Sequence, residues 1–480
     1  MNAELRPQNL PIAVDLDGSL IHSDLLLESF LLLVKRNPLY LFLIPLWLLQ
    51  GKAALKAQIA RRVQINPAAL PYNEAFIDWL KQQRAQGRSL WLCTASNERL
   101  AQGVADHLGL FDGVLASDEQ INLSGKRKAS ALVERFGAQG YTYCGNDHVD
   151  LRVWEHAGGA VVVNARPKLE AQARALVHVE ASFPPNGGTF HALRKALRVH
   201  QWAKNALIFV PVAAAHQLGD PSTLLDAVLA FVAFSLCASS VYLLNDMLDL
   251  EADRMHHSKC NRPFAAGRLS LLFGLAAAPL LLVIAFGMAA ILLPIKFLVV
   301  LAAYYVATLA YSFLLKRLVM IDVLALAGLY TIRIVAGAAA TTIPLSFWLL
   351  MFSIFIFLSL AVVKRYAELL AMRERGKLAA QGRGYQVEDL HLLQSMGTAS
   401  GHISILVLAL YVNSQDIVRL YQHPKVAWLL VPIMLYWISR VWMQTYRGHM
   451  DDDPLVFALK DKISLATGAA AVLVLVLATI

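Results

Sequence analysis

The amino-acid sequence predicts a protein of two parts, an N-terminal α/β domain with a parallel sheet and a C-terminal all-α membrane domain. Short apolar runs alternate with helical patterns over residues 1–182, as in a doubly wound sheet. After residue 203, several apolar stretches approach or reach the about 20 residues that a membrane span needs. Of the 480 residues, 57% are hydrophobic and 16% charged, and the apolar excess lies in the second part.

Four apolar runs in the first part predict buried parallel strands, because each is short and bounded by polar turns. Helical patterns at residues 73–87 and 127–140 separate them, and ligands of such sheets bind at the carboxyl ends of the strands. The predicted strands are residues 11–16, 88–95, 141–144 and 160–164.

The stretch between the first two strands is very apolar but is broken at residues 35–38, KRNP. Each half is shorter than a membrane span, so we predict a helical hairpin within a cap of about residues 20–86. Two placements remain open. The hairpin lies on the membrane surface or the second domain, or it packs over the site of the first domain.

Two prolines and two glycines in ASFPPNGGTF predict a linker at residues 183–190, between domains 1–182 and 191–480. If the spans alternate in direction from a cytoplasmic N-terminal domain, the basic loops all lie on the cytoplasmic side. The sequence therefore predicts a multi-pass protein of the inner (plasma) membrane. The nine predicted spans are about residues 203–217, 222–244, 271–293, 296–314, 319–341, 345–363, 400–416, 425–441 and 463–480.

The net charge of +9 does not predict nucleic-acid binding, because the basic residues cluster in loops between spans. The four cysteines have no metal-binding spacing and are expected to be reduced thiols. The N-terminus lacks the pattern of a cleaved signal, so the first domain is expected in the cytoplasm. Membrane lipids are expected partners, while the oligomeric state is left open.

Asp15 and Asp17 end the first predicted strand, in the sequence IAVDLDGSL at residues 12–20. Two carboxylates at a strand end can divide labour as nucleophile and general acid/base. A phosphoryl group there also needs Mg²⁺, a lysine, and a hydroxyl or amide donor. Candidates for these roles follow later strands or begin a helix: Thr94, Lys128, Asn146, Asp147 and Asp150.

In this order and spacing, the set resembles the haloacid dehalogenase superfamily of phosphohydrolases over about residues 11–165. The resemblance implies that Asp15 is the nucleophile, Asp17 the acid/base, and Thr94 and Lys128 the phosphate-binding side chains. The last motif of the family usually begins Gly-Asp, whereas this chain has Gly145-Asn146-Asp147. The implied Mg²⁺ ligands are Asp15, Asp17, the neutral oxygen of Asn146, and Asp147 or Asp150.

Asn245, Asp249 and Asp253 are four residues apart in NDMLDLEADR, at the cytoplasmic end of the second predicted span. On a helix they share one face, and oxygen-bearing side chains grouped in this way are typical of a Mg²⁺ site that also holds a diphosphate. Charges within membrane spans are costly and usually mark function.

This motif with nine spans resembles the UbiA superfamily of intramembrane transferases over roughly residues 191–480. The resemblance implies metal binding by Asn245, Asp249 and Asp253, catalytic roles for the two aspartates, and substrate binding by Tyr311 and Lys316 in YSFLLKR. Members that prenylate aromatic rings carry a second aspartate motif between spans six and seven. Here that region is basic, VVKRYAELLAMRERGK.

Several segments, among them LRVHQWAKNALIFVPV and DDDPLVFALKD, resemble the decaprenyl-phosphate phosphoribosyltransferase branch of this superfamily. The resemblance implies phosphoribosyl diphosphate as donor and a polyprenyl monophosphate as acceptor. Arg333 is expected to face the cavity, or else to pair with an acid such as Asp322, because a lipid-facing arginine is costly. Asp451–Asp453 are minor candidates. The basic side chains expected to bind phosphate are Lys204, Lys316, Arg333, Lys364 and Arg365.

Together the two parts predict a bifunctional enzyme. Phosphoribosyl transfer to a lipid phosphate leaves a 5-phosphate on the ribose, and a tethered phosphatase domain could remove it. The alternative is a prenyltransferase that moves a prenyl group from a prenyl diphosphate to an aromatic or small acceptor, with an uncoupled or inactive first domain. A transporter or lipid-binding scaffold is less favoured, because the sequence has no internal repeat.

Overall fold

The computed structural model of the protein describes residues 10–185, 189–374, 376, 384–414, 421–450 and 453–479. The chain divides into two compact units, and the division does not follow chain order. The first unit comprises residues 1–198 and 242–279, and the second comprises 199–241 and 280–480. The segment that joins two long apolar helices, residues 249–270, therefore belongs to the same unit as the N-terminal domain.

A parallel sheet forms the core of the first unit, and its described residues supply six strands in the order β3-β2-β1-β4-β5-β6. Strand β1 is central and pairs with β2 and β4. The four predicted strands are confirmed, while β3 and β6 were not predicted because partly exposed, mixed residues interrupt their apolar pattern. The strands are β1 Ile12–Val14, β2 Leu90–Asn97, β3 Gly113–Ser117, β4 Thr142–Gly145, β5 Gly159–Val163 and β6 Val179–Phe183.

Helices cover both faces of the sheet, which is the doubly wound arrangement that the sequence predicted. The N-terminal helices are α1 Leu25–Arg36, α2 Ile44–Leu49, α3 Lys52–Ala60, α4 Glu74–Ala85, α5 Glu98–Leu108, α6 Lys126–Phe136, α7 Leu151–Trp154, α8 Pro167–Leu176 and α9 Thr189–Ala196.

The apolar hairpin is formed by α1, a 3₁₀ turn at Pro38–Phe42, and α2. Asp24 caps α1 by accepting a hydrogen bond from the backbone of Leu27, 2.9 Å away. One side of the hairpin packs inward around Trp47, whereas Phe42 and Leu49 are 77% and 85% exposed. An exposed apolar surface of this kind suits the predicted membrane contact, which stays a prediction.

Within the described ranges, eight helices are long and apolar enough to cross a membrane, and the protein is a multi-pass membrane protein. The helices from residue 210 onward are α10 Val210–Ala214, α11 Pro221–Leu248, α12 Leu250–Arg254, α13 Leu271–Leu292, α14 Ile295–Phe313, α15 Ile321–Thr341, α16 Phe347–Glu374, α17 Leu390–Val412, α18 Leu430–Tyr446, α19 Pro454–Lys460 and α20 Lys462–Thr479.

The difference from the nine predicted spans lies at residues 203–217. This stretch is a 3₁₀ segment, Val199–Phe209, followed by the five-residue helix α10, rather than one long helix. Pro211 lacks the backbone N–H that would continue an α-helix from the preceding turn, which explains the break. Of the predicted linker, residues 186–188 lie outside the described residues.

Candidate active sites

Asp15 follows β1 directly and meets Lys128, which lies in the first turn of α6. The lysine Nζ donates to Asp15 Oδ1 over 2.7 Å and to the hydroxyl of Tyr143 over 2.9 Å. Both charged groups are buried, with Lys128 4% and Asp15 7% exposed. The fold therefore brings together the predicted nucleophile and the predicted phosphate-binding lysine, which are 113 residues apart in the chain.

Asp17 lies where the chain leaves the sheet for the cap. Its Oδ1 accepts the backbone N–H of Leu25 over 2.8 Å, and its Oδ2 accepts the hydroxyl of Ser96 over 2.6 Å. Gly18 has a φ of +77°, and a Cβ there would lie 2.1 Å from Asn146 Nδ2. Glycine is favoured at this position, because its φ lies in the left-handed region and because a Cβ would displace the amide of Asn146.

Burial raises the pKa of Asp15 to about 6, even though the charge of Lys128 acts in the opposite direction. Burial also raises the pKa of Asp17 to about 7, and the charges of Asp24 and Asp15 add to this effect. Burial alone would lower the pKa of Lys128, but Asp15 and Asp150 outweigh it and raise that pKa. An acid whose pKa lies near neutrality, as that of Asp17 does, is suited to proton transfer during phosphoryl chemistry.

Asp150 organises the loop that follows β4. Its Oδ2 accepts the backbone N–H groups of Asn146 and Asp147 over 2.9 and 3.0 Å, and its Oδ1 accepts the hydroxyl of Tyr143 over 2.9 Å. Asp150 is 5% exposed, and the hydrogen bonds to its carboxylate hold the loop in this conformation. The side chain of Asn146 lies against Gly18, beside the two acids that follow β1.

These side chains line one cleft of about 1110 Å³ at the carboxyl end of the sheet, here called the strand-end cleft. The oxygens of Asp15, Asp17 and Asn146 are the kind of donor that Mg²⁺ prefers, and the repulsion between the two acids favours a cation beside them. The residues present therefore fit the predicted ion. Among the described residues, no group of three or more His, Cys, Asp or Glu side chains that could hold a metal ion is found.

Thr94, the predicted phosphate-binding hydroxyl, is fully buried, and its Oγ1 accepts the backbone N–H of Ser96 over 3.0 Å. Ser96 itself lines the strand-end cleft and was missed, although its position two residues after Thr94 in TASN is a usable signal. Lys56 of the cap also lines the cleft and donates to Asn122 Oδ1 over 2.7 Å. No sequence motif marks this lysine.

The predicted aspartate motif lies in the first unit, where α11 passes into α12. Backbone hydrogen bonds run from Asp249 N to Asn245 O, 3.0 Å, and from Asp253 N to Asp249 O, 2.8 Å. The three residues thus keep the helical four-residue spacing across the junction. Asp249 Oδ1 also accepts a hydrogen bond from Lys35 of the cap over 2.8 Å, a contact that sequence reasoning missed.

Asp246 is a further acid in this region that the sequence analysis missed. It is 2% exposed and pairs with Arg198 and, over 3.0 Å, with Arg262. Arg262 pairs as well with Asp253 over 2.6 Å. Burial raises the pKa of Asp253, and the charge of Arg262 opposes that shift. The oxygen donors of the motif fit a hard cation such as Mg²⁺. In this structure, basic side chains balance the negative charge of the acids.

In the second unit, Arg333 of α15 is 5% exposed and donates its Nε to Asn205 Oδ1 over 2.8 Å. Its guanidinium lies 5.3–5.6 Å from the ring centroids of Phe234, Tyr304 and Tyr330. In the part of the chain that the structure describes, Arg333 has no acidic partner. Asp322, the alternative partner, pairs with Arg365 instead, over 2.8 Å.

Lys204 lies near Arg333, since its Nζ is 5.7 Å from the centroid of the same Tyr330 ring. It forms an ion pair with Asp453, which caps α19. Burial would raise the pKa of Asp453, but the charges of Lys204 and Lys364 outweigh it and lower that pKa. Lys204, Lys364 and Arg333 form a cluster here called the cationic centre. Asp451 and Asp452 lie outside the described residues.

Arg365 is fully buried and lies between Asp322 and Glu368, with ion pairs to both. The hydroxyl of Tyr385 also donates to Asp322. Tyr311 of α14 interacts electrostatically with Arg365, Asp322 and Glu368, so the predicted tyrosine lies near this group of charges. Lys316 is half-buried on the 3₁₀ turn Leu315–Arg317 that follows α14.

A strand-end acidic cleft and a helical membrane part with buried cations define a multi-pass membrane enzyme that carries a hydrolase-like domain. Residues 12–155 match the family model described as haloacid dehalogenase-like hydrolase, and residues 206–460 match that of the UbiA prenyltransferase family. The second match covers more than half of the chain. The protein belongs to the UbiA prenyltransferase family.

Three relatives show how far the similarity extends. Uncharacterized protein y4nM of Sinorhizobium fredii is 39% identical over 96% of this chain and 90% of that protein. Nodulation protein NoeC of Azorhizobium caulinodans is 36% identical over 56% of this chain and 88% of its own length. Decaprenyl-phosphate phosphoribosyltransferase of Mycobacterium tuberculosis is 33% identical, with the same two coverages.

Proposed function

We propose that the membrane part transfers a phosphoribosyl group from phosphoribosyl diphosphate to a polyprenyl phosphate, and that the N-terminal domain then removes the 5-phosphate from the product. The observation that carries the transfer proposal is Arg333, a buried arginine whose described partners are an amide, a backbone carbonyl and aromatic rings. A buried positive charge without an acid beside it suits an anionic ligand. The similarity to decaprenyl-phosphate phosphoribosyltransferase agrees with this assignment.

The cationic centre supplies the charge for a substrate with more than one phosphate. It gathers Lys204, Lys364 and Arg333, and Asp453 is the acid described beside them. The acceptor phosphate is already an anion, so the site has to orient it rather than deprotonate it. In the transfer, the bond from the anomeric carbon to diphosphate breaks, and a bond to the lipid phosphate oxygen forms.

Mg²⁺ at Asn245, Asp249 and Asp253 would neutralise the leaving diphosphate, which is the chemistry that such an ion supplies. The chain itself orients these side chains by the helical spacing across the junction of α11 and α12. The pairing of Asp246 and Asp253 with Arg262 holds the following segment against that helix.

In the strand-end cleft, Asp15 attacks the phosphorus of the monoester while Lys128 balances the charge of the phosphoryl oxygens. The phosphorus–oxygen bond to the ribose breaks, and Asp17 donates a proton to the departing oxygen. Water then attacks the aspartyl phosphate, with Asp17 as base, and releases inorganic phosphate. Mg²⁺ held by Asp15, Asp17 and Asn146 would add positive charge at the phosphoryl group.

Chain connectivity and charge support a cytoplasmic position for the N-terminal domain. Residues 249–270 belong to the same compact unit as that domain and carry Arg254, Lys259, Arg262 and Arg268, as cytoplasmic loops do. If residues 1–198 and residues 249–270 both lie on the cytoplasmic side and α11 crosses the membrane once, residues 199–220 provide the other crossing. The 3₁₀ segment and α10 together extend about 30 Å, which is enough for a crossing.

The test uses detergent-purified full-length protein with Mg²⁺, labelled phosphoribosyl diphosphate and a polyprenyl phosphate. We expect label to enter the lipid fraction, and an Asp249→Asn variant to lose this activity by at least about a hundredfold. Asp226→Asn is the matched control, because it changes an acid near the start of α11, the helix that Asp249 directly follows. Activity on a prenyl diphosphate and an aromatic acceptor, without ribosyl transfer, would instead assign the alternative function.

A further inference from the structure

The strand-end cleft has a wall that does not come from the sheet or the cap. It is formed by the segment between α11 and α13, which connects two membrane-spanning helices. This segment belongs to the same compact unit as the sheet, so the wall is a feature within one unit. Its cleft-lining residues are Ala266, Gly267, Arg268, Ser270 and Leu271.

Arg254 attaches this wall to the cap. Its guanidinium forms a two-bond ion pair with Glu28 of α1, at 2.6 and 2.9 Å, and both side chains are 8% exposed. Its Nε donates to the carbonyl oxygen of Ala265 over 3.0 Å, directly before the cleft-lining residues. One buried arginine thus fixes the cap and the wall together, with the geometric specificity that paired guanidinium–carboxylate bonds give.

The wall also packs against His22, which follows Asp15 and Asp17 in the chain. Gly267 has a φ of +65°, and a Cβ there would lie 2.3 Å from His22 Cβ and 2.6 Å from His22 O. Nδ1 of His22 is 3.1 Å from Asn164 Nδ2, which donates to the carbonyl oxygen of Gly18 over 2.7 Å. The wall is therefore linked through His22 and Asn164 to Gly18, in the turn that carries Asp17.

Two properties of the wall define what it can recognise. The side chain of Arg268 is exposed in the cleft, and its guanidinium has no hydrogen bond or ion pair with any residue that the structure describes. Leu271 is the first residue of the membrane helix α13, so this side of the cleft begins at the end of a membrane span. The cleft thus combines a cation that has no described partner with a wall that leads directly into a helix long and apolar enough to span a membrane.

We propose that Arg268 is a substrate-binding residue of the N-terminal domain and that its ligand is the lipid-side phosphodiester of a lipid-linked phosphate monoester. The monoester end lies at Asp15, while the diester, which anchors the molecule to the membrane, is held by Arg268. This inference rests on the proposed function, in which the transfer product carries a ribose 5-phosphate at one end and a polyprenyl phosphodiester at the other. A water-soluble phosphate monoester lacks the second anion.

The test compares two substrates on the full-length protein in lipid nanodiscs, namely the phosphoribosyl lipid and the soluble monoester p-nitrophenyl phosphate. For Arg268→Ala we expect the KM for the lipid to rise about ten- to a hundredfold, which is the loss of one charged hydrogen bond. Hydrolysis of p-nitrophenyl phosphate should stay unchanged, and Arg268→Lys should recover part of the loss. Arg99→Ala removes an exposed arginine of α5 outside the cleft and should change neither substrate.

An equal loss on both substrates, or no loss on the lipid, would overturn the role of Arg268. A wild-type protein that hydrolyses p-nitrophenyl phosphate but not the lipid would overturn the substrate class and leave the hydrolase assignment intact. A wild-type protein that hydrolyses neither would overturn the hydrolase assignment itself, and with it this inference.

Discussion

The strand-end cleft and the cationic centre differ in the sign of their charge and in how the chain assembles them. Acids outnumber bases in the cleft, and four of those acids follow the ends of the neighbouring parallel strands β1 and β4, namely Asp15, Asp17, Asp147 and Asp150. In the cationic centre bases outnumber the described acids, and the contacts join residues far apart, such as Lys204 and Asp453, 249 positions apart. Sheet topology therefore determines the first site, whereas helix packing determines the second.

Two buried arginines of the second unit also differ in whether acidic side chains balance their charge. Arg365 is balanced by Asp322 and Glu368, while Arg333 lies among aromatic rings and an amide. Removing one partner of a buried ion pair is costly, because the other charge is left buried and unpaired. A buried charge without a described acid is better explained by a ligand. The four predictions below test these contrasts, from the largest expected effect to the smallest.

Asp15→Asn should abolish hydrolysis in the strand-end cleft, by at least about a thousandfold, because the amide is a far weaker nucleophile than the carboxylate. Phosphoribosyl transfer should continue at the wild-type rate. The measurement is hydrolysis of p-nitrophenyl phosphate beside transfer of labelled phosphoribosyl to lipid. A parallel loss of both activities would contradict the separation into two sites.

Arg365→Met should destabilise the protein by about 3–5 kcal/mol, because it leaves Asp322 charged and buried. Thermal unfolding in detergent measures this effect. The double variant Arg365→Met, Asp322→Leu is the matched control and should recover most of the loss. If the single variant keeps its stability but loses transfer, Arg365 belongs to the substrate site instead.

Arg333→Met should reduce phosphoribosyl transfer about ten- to a hundredfold, since one charge-assisted contact to the substrate is lost. Its unfolding temperature should change less than that of Arg365→Met, because no described acid is left unpaired. Kinetics and thermal unfolding on the same preparation separate the two effects. A large destabilisation with normal turnover per folded molecule would assign Arg333 a structural role.

Asn146→Asp should lower the Mg²⁺ concentration needed for half-maximal hydrolysis about tenfold, because it adds a third charged oxygen donor. The measurement is a Mg²⁺ titration of the hydrolysis rate. Asn164→Asp adds an acid in the same cleft but loses the hydrogen bond to Gly18 O, so it should lower the hydrolysis rate without lowering the Mg²⁺ midpoint. An unchanged midpoint for Asn146→Asp would remove Asn146 from the proposed ligand set.

Much of the first unit could be predicted because its signals are local. Asp15 and the loop at Asn146 directly follow apolar strands, and parallel strands end at one edge of a sheet. Lys128 lies at the start of the helix between two strands. Ser96 carried a signal that was not used, whereas Lys56 carried none. The long apolar helices could be predicted for the same reason, since each is one continuous stretch.

Contacts between distant segments could not be predicted. Lys35 meets Asp249 and Arg254 meets Glu28 because the segment after α11 packs with the cap, and no residue pattern in either segment indicates the other. The stretch predicted as the first span is not one continuous helix, because apolar composition does not indicate the break at Pro211. Which acid balances which arginine also depends on packing, as the pairing of Asp322 with Arg365 illustrates.

The most direct test of the central claim, that one chain transfers a phosphoribosyl group and then removes its phosphate, is the mass of the lipid product over time. Wild-type protein and Asp15→Asn are each supplied with Mg²⁺, phosphoribosyl diphosphate and a polyprenyl phosphate. The account predicts ribosyl lipid without the 5-phosphate from wild type, and accumulation of the phosphorylated form from the variant. Identical products from both proteins would contradict the coupling, and the absence of any ribosylated lipid would contradict the transfer itself.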